Sequence, residues 1–298
     1  MNVYPFIEAE RARQGNVSRT CALLSVSRAA YYGFVHATPS GRQRRDAELT
    51  AMIVDTFTAS RRTYGPLRIA KELRQRGQRV SRRRIARLMV ARGLVARPKR
   101  SRKITTIADP AAAASADLLA RRFDPATHGR DAVWCGDISY VRTWEGWAYL
   151  ATVIDLSSRR VVGLAMADHL RTSLVSEALQ MALTARRPGP GLIFHTDRGC
   201  QYTSDDFRKL LGRYEITQSL SRPRQCWDNA VAESFFATLK EELIYRRVWP
   251  TRAVLRRAVF EYVEVFYNRQ RLHSSLGYLS PADYEAGRRQ HLSEAQAA

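Results

Sequence analysis

The chain has 298 residues, with 49 Lys and Arg against 28 Asp and Glu, a net charge of +21 and a pI near 10.6. A hydrophobic content of 45% is that of a folded protein and excludes wholesale disorder. The longest apolar runs, such as Val161 to Ala167, fall well short of the ~20 residues a membrane helix needs, and Met1 to Arg13 carries Glu8 and Glu10 where a signal peptide has an apolar core. A cytoplasmic protein with a polyanionic partner is the expectation, nucleic acid being the first candidate and a merely basic surface the alternative.

The N-terminal region reads as helical. Val17 to Leu24, a Ser25-Val26-Ser27 turn and Arg28 to Tyr32 suggest two short helices with few charges. Residues 51–100 then hold 15 basic and 2 acidic residues, a net of +13, whereas residues 104–298 hold 25 and 22, a net of +3. The excess charge is therefore concentrated in one segment. There Pro66 suits a first helical position, Ile69 and Leu73 share a face, and Gly77 suits a stop. Ser81 can cap a second helix with Ile85, Leu88 and Met89 as its apolar stripe, ended by Gly93. Arg82, Arg83, Arg84 and Arg87 open that helix. Two short helices around a glycine turn, at about residues 64–93, describe a helix-turn-helix with DNA-facing arginines; a solvated charged face is the alternative. Ile107 to Ala116, Ala-rich with Asp109-Pro110, reads as a linker. The expected organisation is a helical DNA-binding region at 1–103, a linker at 104–130, a core with C-terminal helices at 131–285 and a tail at 286–298.

From Val133 the pattern becomes strand-like. Val133 to Val141, Trp147 to Leu156 and Arg160 to Ala167 predict an antiparallel meander. Thr172 to Arg186 predicts a helix with Leu174, Ala178, Met181 and Ala182 on its buried face. A strand from Gly191 leads to Asp197, a helix covers Ser204 to Tyr214, and Ile216 to Leu220 forms a further strand. A longer helix runs from Asp228-Asn229 through Tyr245, and another from about Arg252 to Tyr267. The order is β-β-β-α-β-α-β-α-α.

Three acids interrupt apolar surroundings. Asp137 lies inside a strand, where burial costs several kcal/mol unless it is paired or binds a cation. Asp197 follows a strand, and Glu233 sits among Val231, Ala232, Phe235 and Phe236. Oxygen-only ligands favour magnesium or manganese, and two such ions about 3.5–4 Å apart suit phosphoryl transfer. Each acid also has a structural reading: Asp137 as a turn cap, Asp197 before Arg198-Gly199 as an Asx turn, Glu233 as a solvated, ion-paired helix residue. Asp155, Asp205, Asp206, Asp228 and Glu241 compete by count. The four cysteines (Cys21, Cys135, Cys200, Cys226) and six histidines are scattered, with no readable disulfide framework, cysteine-based zinc site or N-terminal zinc module.

Asp137 within Trp134–Tyr140, Asp197 within His195–Ser204 and Glu233 within Cys226–Lys240, with 35 residues between Asp197 and Glu233, form a joint pattern. It resembles the D, D, 35, E signature of retroviral-type integrases and insertion-sequence transposases. The detail is closest to the OrfB transposases of the third large bacterial insertion-sequence family. The ending Tyr267-Asn268 to Arg271, His273, Leu276 and Pro281, and Tyr64 to Ile69 upstream, are similar to that family as well. The resemblance spans about residues 17–285. It implies an α/β core of the ribonuclease-H type, a mixed five-stranded sheet with helices, preceded by an all-α helix-turn-helix region. It further implies a DDE-type transposase that binds terminal inverted repeats, with Asp137, Asp197 and Glu233 catalytic and holding Mg2+ or Mn2+, two ions in all. Lys240, seven residues after Glu233 and on the same helix face, would meet DNA phosphate. Cleavage exposes a 3′-hydroxyl that joins one end to the other, giving a branched and then circular product. The implied partners are double-stranded DNA, further copies in a synaptic complex, and an OrfA-type protein or fusion supplying a leucine zipper, for which this chain has no heptad run. His195 and Asn229 belong to the matching motifs with either packing or substrate roles. Two departures stand out: Pro223-Arg224-Gln225 where a Gly-containing turn is common, and Cys200 where Ser is common. A non-catalytic DNA-binding partner or repressor subunit is the competing reading.

Overall fold

Helix starts and stops follow the chain's own chemistry. In a computed structural model describing residues 3–36, 38–96, 117–120, 122–222 and 229–287, each helix of the basic segment carries the end signals its sequence provides. The chain divides into compact units at Met1–Asp55 and Thr56–Ala298. In the first, α1 (Tyr4–Ala12), α2 (Val17–Leu23) and α3 (Arg28–Val35) enclose Ile7, Cys21 and Tyr31. Asn16 and Ser27 cap α2 and α3 by accepting from Arg19 N and Ala30 N. Helix α4 (Gly41–Ala59) contains the division.

The second unit opens with the helix-turn-helix pair. Helix α5 (Pro66–Gln75) buries Ile69 and Leu73, and α6 (Arg82–Ala91) buries Ile85, Leu88 and Met89. Ser81 Oγ accepts from Arg84 N at 3.3 Å. Gly77 and Gly93 end the helices with φ of 78° and 63°, a left-handed turn that only glycine adopts without cost. The following N–H groups, of Gln78 and Leu94, reach back to Leu73 O and Met89 O and satisfy the last carbonyls. The Tyr64 hydroxyl donates to Gln270 O (3.3 Å) and accepts from Leu272 N (2.8 Å), so the pair is anchored on the C-terminal motif. Lys71 lies over the Tyr278 ring, 4.9 Å from its centroid.

The sheet has the order β3-β2-β1-β4-β5. Strands β1 (Val133–Thr143), β2 (Gly146–Asp155) and β3 (Val161–Ala167) form the expected antiparallel meander; β4 (Ile193–Thr196) and β5 (Thr217–Leu220) add parallel to β1. Helices α7 (Thr172–Arg186), α8 (Cys200–Thr203) and α9 (Asp205–Arg213) supply the crossovers and bury their apolar stripes with Trp134, Ala151, Val153, Phe194 and Ile216. This is the mixed five-stranded α/β sheet of the ribonuclease-H type, preceded by an all-α region. Helices α10 (Ala230–Glu242) and α11 (Arg252–Glu261) follow, and α11 continues as a π-helical turn over Tyr262–Tyr267. Residues 281–287 form a last helical turn.

Some boundaries and faces differ from expectation. Met181 is 36% exposed rather than in the core stripe; its sulfur sits at the sheet edge and accepts from Leu164 N at 3.4 Å. Val175, Leu179 and Leu183 join Leu174, Ala178 and Ala182 in the core, because the sheet covers more of α7 than one narrow stripe. Helix α10 stops at Glu242 rather than Tyr245; Leu243, at φ −129°, breaks the helix and a short 3-10 turn follows. The π turn lets Asn268 N reach Val263 O and aims the Asn268 amide at the rim of β3. There its Oδ1 accepts from Val161 N and its Nδ2 donates to Val161 O, both at 3.0 Å. Buried ion pairs fasten the rest: Arg186 joins Asp131 and Glu285, Arg160 joins Glu285, and Arg271 grips Glu242 with two bonds. The linker reading at Ile107–Ala116 and the tail from 288 onward fall outside the described residues.

Candidate active site

Parallel pairing of β1 with β4 builds the centre of the site. The last paired rung is Cys135↔His195, and Asp137 and Asp197 each stand two residues beyond it. Neighbouring strands lie about 4.8 Å apart, so the two carboxylates leave adjacent strands at the same level. Gly136 makes this possible: a Cβ there would lie 2.8 Å from the Phe194 ring. Once β4 has ended, Asn229 takes its place against β1, its Nδ2 donating to Gly136 O at 3.0 Å. That bond fixes the start of α10 beside Asp137, and Glu233 follows one turn along the helix. Asn229 is 4% exposed, and its Oδ1 has no hydrogen-bond partner among the described residues.

The electrostatics are those of a crowded anionic site. Burial, together with repulsion from Asp197 and Glu233, pushes the Asp137 carboxyl well above the usual range, against the Ile138 N–H and the Lys240 charge. Burial likewise raises Asp197, opposed by the Gly199 N–H and by His195. Asp137 Oδ1 accepts from Ile138 N at 2.8 Å and Asp197 Oδ1 from Gly199 N at 3.0 Å. The Asx turn at Asp197 is thus present and uses one oxygen; Oδ2 of each aspartate takes no hydrogen bond from the described residues. Among the described residues no three Asp, Glu, His or Cys side chains stand at metal-ligand spacing. The set Asp137, Asp197 and Glu233 is nonetheless the kind a hard cation accepts: oxygen donors only, half-buried, mutually repelling, with Oδ2 of both aspartates unspent.

Other candidates are accounted for structurally. Asp155 is fully buried and accepts from Ser158 N, Ser158 Oγ and Asp131 N. Asp205 and Asp206 open α9 beside the Ser204 cap, and Asp205 pairs with Arg208. His195 is buried between two serines of the β5 segment, Nδ1 2.8 Å from Ser219 Oγ and Nε2 3.3 Å from Ser221 Oγ, which favours the packing role. Cys200 is an exposed free thiol. Cys226, Trp227, Asp228 and Pro223-Arg224-Gln225 lie outside the described residues. Arg82 and Arg83 are exposed in the first turn of α6, Arg87 is exposed at mid-helix and Arg84 is half-buried. Lys240 stands apart from them, its Nζ 5.5 Å from the centroid of the Tyr140 ring and its charge felt at Asp137.

Comparison with known proteins agrees with this architecture. Residues 127–226 and 214–281 match two families described as integrase core domain, and residues 43–102 match one described as HTH-like domain. The chain is 38% identical over 286 residues to transposase InsF for insertion sequence IS3A of Escherichia coli strain K12, covering 95% of this chain and 98% of that protein. It is 39% identical over 264 residues to the insertion element IS600 uncharacterized 31 kDa protein of Shigella sonnei, covering 89% and 96%. Among solved structures, a chain of the simian T-cell lymphotropic virus intasome in complex with PP2A regulatory subunit B56 gamma aligns over 58% of this chain and 59% of its own, at 16% identity and a TM-score of 0.44. The HTLV-2 integrase catalytic core domain in complex with magnesium aligns over 52% and 95%, at 15% identity and a TM-score of 0.39.

Proposed function

We propose, from the premise that this chain belongs to the insertion-sequence transposases of the IS3 family, that it binds the terminal inverted repeats of its element and cuts and joins DNA strands there with Mg2+ or Mn2+. The observation that carries the reading is the pair of raised, half-buried carboxylates on adjacent parallel strands, with Glu233 brought up by α10. Asp137, Asp197 and Glu233 are the residues that would hold the cations, two by the logic of phosphoryl transfer. When bound, the ions supply charge neutralisation at the phosphate and make water or a 3′-hydroxyl a competent nucleophile. The carboxylates themselves are pre-positioned: Ile138 N and Gly199 N hold one oxygen of each aspartate, and Asn229 holds the helix that bears Glu233. Hydrolysis of one phosphodiester leaves a 5′-phosphate and frees a 3′-hydroxyl, which attacks a second phosphodiester, forming a new 3′–5′ linkage and releasing the 3′-oxygen of the attacked strand as a hydroxyl. The arginines of α6 supply DNA contacts, and Lys240 contacts the DNA entering the carboxylate site. No described helix is long and apolar enough to cross a membrane; a cytoplasmic protein working on the nucleoid, as an oligomer with an OrfA-type partner, fits this chemistry.

The test is strand nicking on a plasmid carrying the DNA that flanks the gene, with the OrfA-type protein supplied. The parent nicks and joins strands only with Mg2+ or Mn2+, whereas Asp197→Asn does neither while binding the same DNA. Equal nicking by a folded Asp197→Asn protein overturns the reading, and DNA binding with no cleavage by the parent makes the chain a repressor or partner subunit.

A further inference from the structure

The β1–β2 hairpin carries a cluster of exposed aromatic rings that neither the sheet core nor the carboxylate site uses. Tyr140 is 50% exposed, Trp147 42% and Trp144, at the turn, 73%. The Tyr140 and Trp147 rings meet edge to face, centroids 5.1 Å apart at 88°. A cation flanks each: the Lys240 ammonium lies 5.5 Å from the Tyr140 centroid, and the Arg142 guanidinium 5.3 Å from that of Trp147. Helix α11 adds further positive charge, with Arg252 Nε donating to Trp147 O at 2.9 Å and Arg256 exposed one turn on.

Cross-strand pairing alone does not require these residue types. A β-branched pair opposite Arg142 would stabilise the hairpin by a comparable amount. Three aromatics this exposed, alternating with cations, offer π-faces for bases and charges for the phosphates between them. The position ties the cluster to the carboxylates. Strand alternation puts Tyr140 on the opposite face from Asp137, and past Gly136, where β4 has ended, Asn229 and the start of α10 line that edge of β1. Lys240 bridges it, lying over Tyr140 while its charge acts on Asp137. Three residues of strand span about 10 Å, within reach of a neighbouring nucleotide of the same strand.

We infer that Tyr140, Trp147 and Trp144 form a stacking platform for unpaired bases of a DNA strand whose phosphodiester lies at Asp137, Asp197 and Glu233. The inference rests on the proposed function and specifies its substrate: DNA frayed or single-stranded beside the cut, not a fully paired duplex. The flanking cations Arg142 and Lys240 neutralise the phosphates of the splayed strand.

Binding measured in chelator separates this from catalysis. The full chain is titrated into labelled dT12, an abasic strand of the same length and a blunt duplex. Tyr140→Ala with Trp147→Ala should weaken dT12 binding roughly 5- to 150-fold for one stacked base and leave the blunt duplex within twofold. The Tyr140→Phe, Trp147→Phe protein, which keeps the rings, should bind dT12 like the parent. The parent should bind the abasic strand as weakly as the double-alanine variant binds dT12. An unchanged dT12 affinity, an equal loss on the duplex, or an abasic strand bound as tightly as dT12 each overturns the platform. Asp197→Asn should bind dT12 at least as tightly as the parent; if that variant still nicks DNA while the ring dependence holds, the proposed function fails and the platform stands.

Discussion

Removing one charge from the carboxylate cluster should make the metal-free protein more stable. Asp137 and Asp197 leave adjacent strands about 4.8 Å apart, and the Asp197 charge adds to burial in raising the Asp137 carboxyl. At that spacing and an effective dielectric near 20, repulsion between two full charges is about 3.5 kcal/mol, and solvent over the half-buried pair reduces it to about 1–2 kcal/mol. Asp197→Asn removes the charge yet keeps an Oδ1 to accept from Gly199 N. In chelator at pH 7.5 its Tm should therefore exceed that of the parent by about 2–8 °C, at ~2–4 °C per kcal/mol for a body of this size. Adding Mg2+ should reverse the order, because ligand binding stabilises only the protein that binds it. Differential scanning fluorimetry reads both effects. A variant less stable than the parent in chelator, or stabilised by Mg2+ to the same extent, refutes the reasoning.

Three further outcomes follow from the same structure. Replacing Arg82, Arg83 and Arg87 with Ala should flatten the log–log salt dependence of DNA binding by about 2.7 if all three meet phosphate; if they read bases, the loss is sequence-selective at about 1–3 kcal/mol per contact, and an unchanged affinity and slope remove α6 from the interface. Asn268→Ala strands both backbone groups of Val161 in a buried setting and should cost about 2–5 kcal/mol in chemical denaturation; a loss under 1 kcal/mol would mean water replaces the amide (about one ordinary hydrogen bond). Burial alone would raise the Glu285 carboxyl, but bonds and charge from Arg186 outweigh it and hold it below the usual 4.5. A depressed folded value stabilises above the unfolded one, so the advantage of the parent over Glu285→Gln should be full above pH 4.5 and fade as pH falls further. A constant difference from pH 7 to 3 would contradict the ion pair.

The parts of the molecule set by local chemistry were legible in the sequence. Ser81, Gly77 and Gly93 mark the helix-turn-helix because a cap and a left-handed stop depend on neighbouring residues alone. The three-strand meander is legible because alternation and turns are local too. The parallel order β1-β4-β5, which puts Asp137 beside Asp197, came only through family resemblance, since strand pairing across a helix leaves no local mark. Long-range polar contacts were not legible: nothing near Asn268 says that it pairs with Val161, and nothing near Tyr64 names Leu272. Met181 was misplaced because periodicity gives a helix's direction but not the width of the sheet that covers it. The Tyr140–Trp147 cluster was missed for a related reason: its cations come from Arg142 on the same strand and from Lys240 on a helix a hundred residues away.

The central claim is that three acids from β1, the end of β4 and α10 make one cation site. Calorimetric titration of the full chain with Mn2+ tests it without reference to activity. The parent should bind two ions, and Asp137→Asn, Asp197→Asn and Glu233→Gln should each weaken binding by at least about tenfold. Unchanged affinity in any one of the three would remove that residue from the site, and unchanged affinity in all three would contradict the site itself.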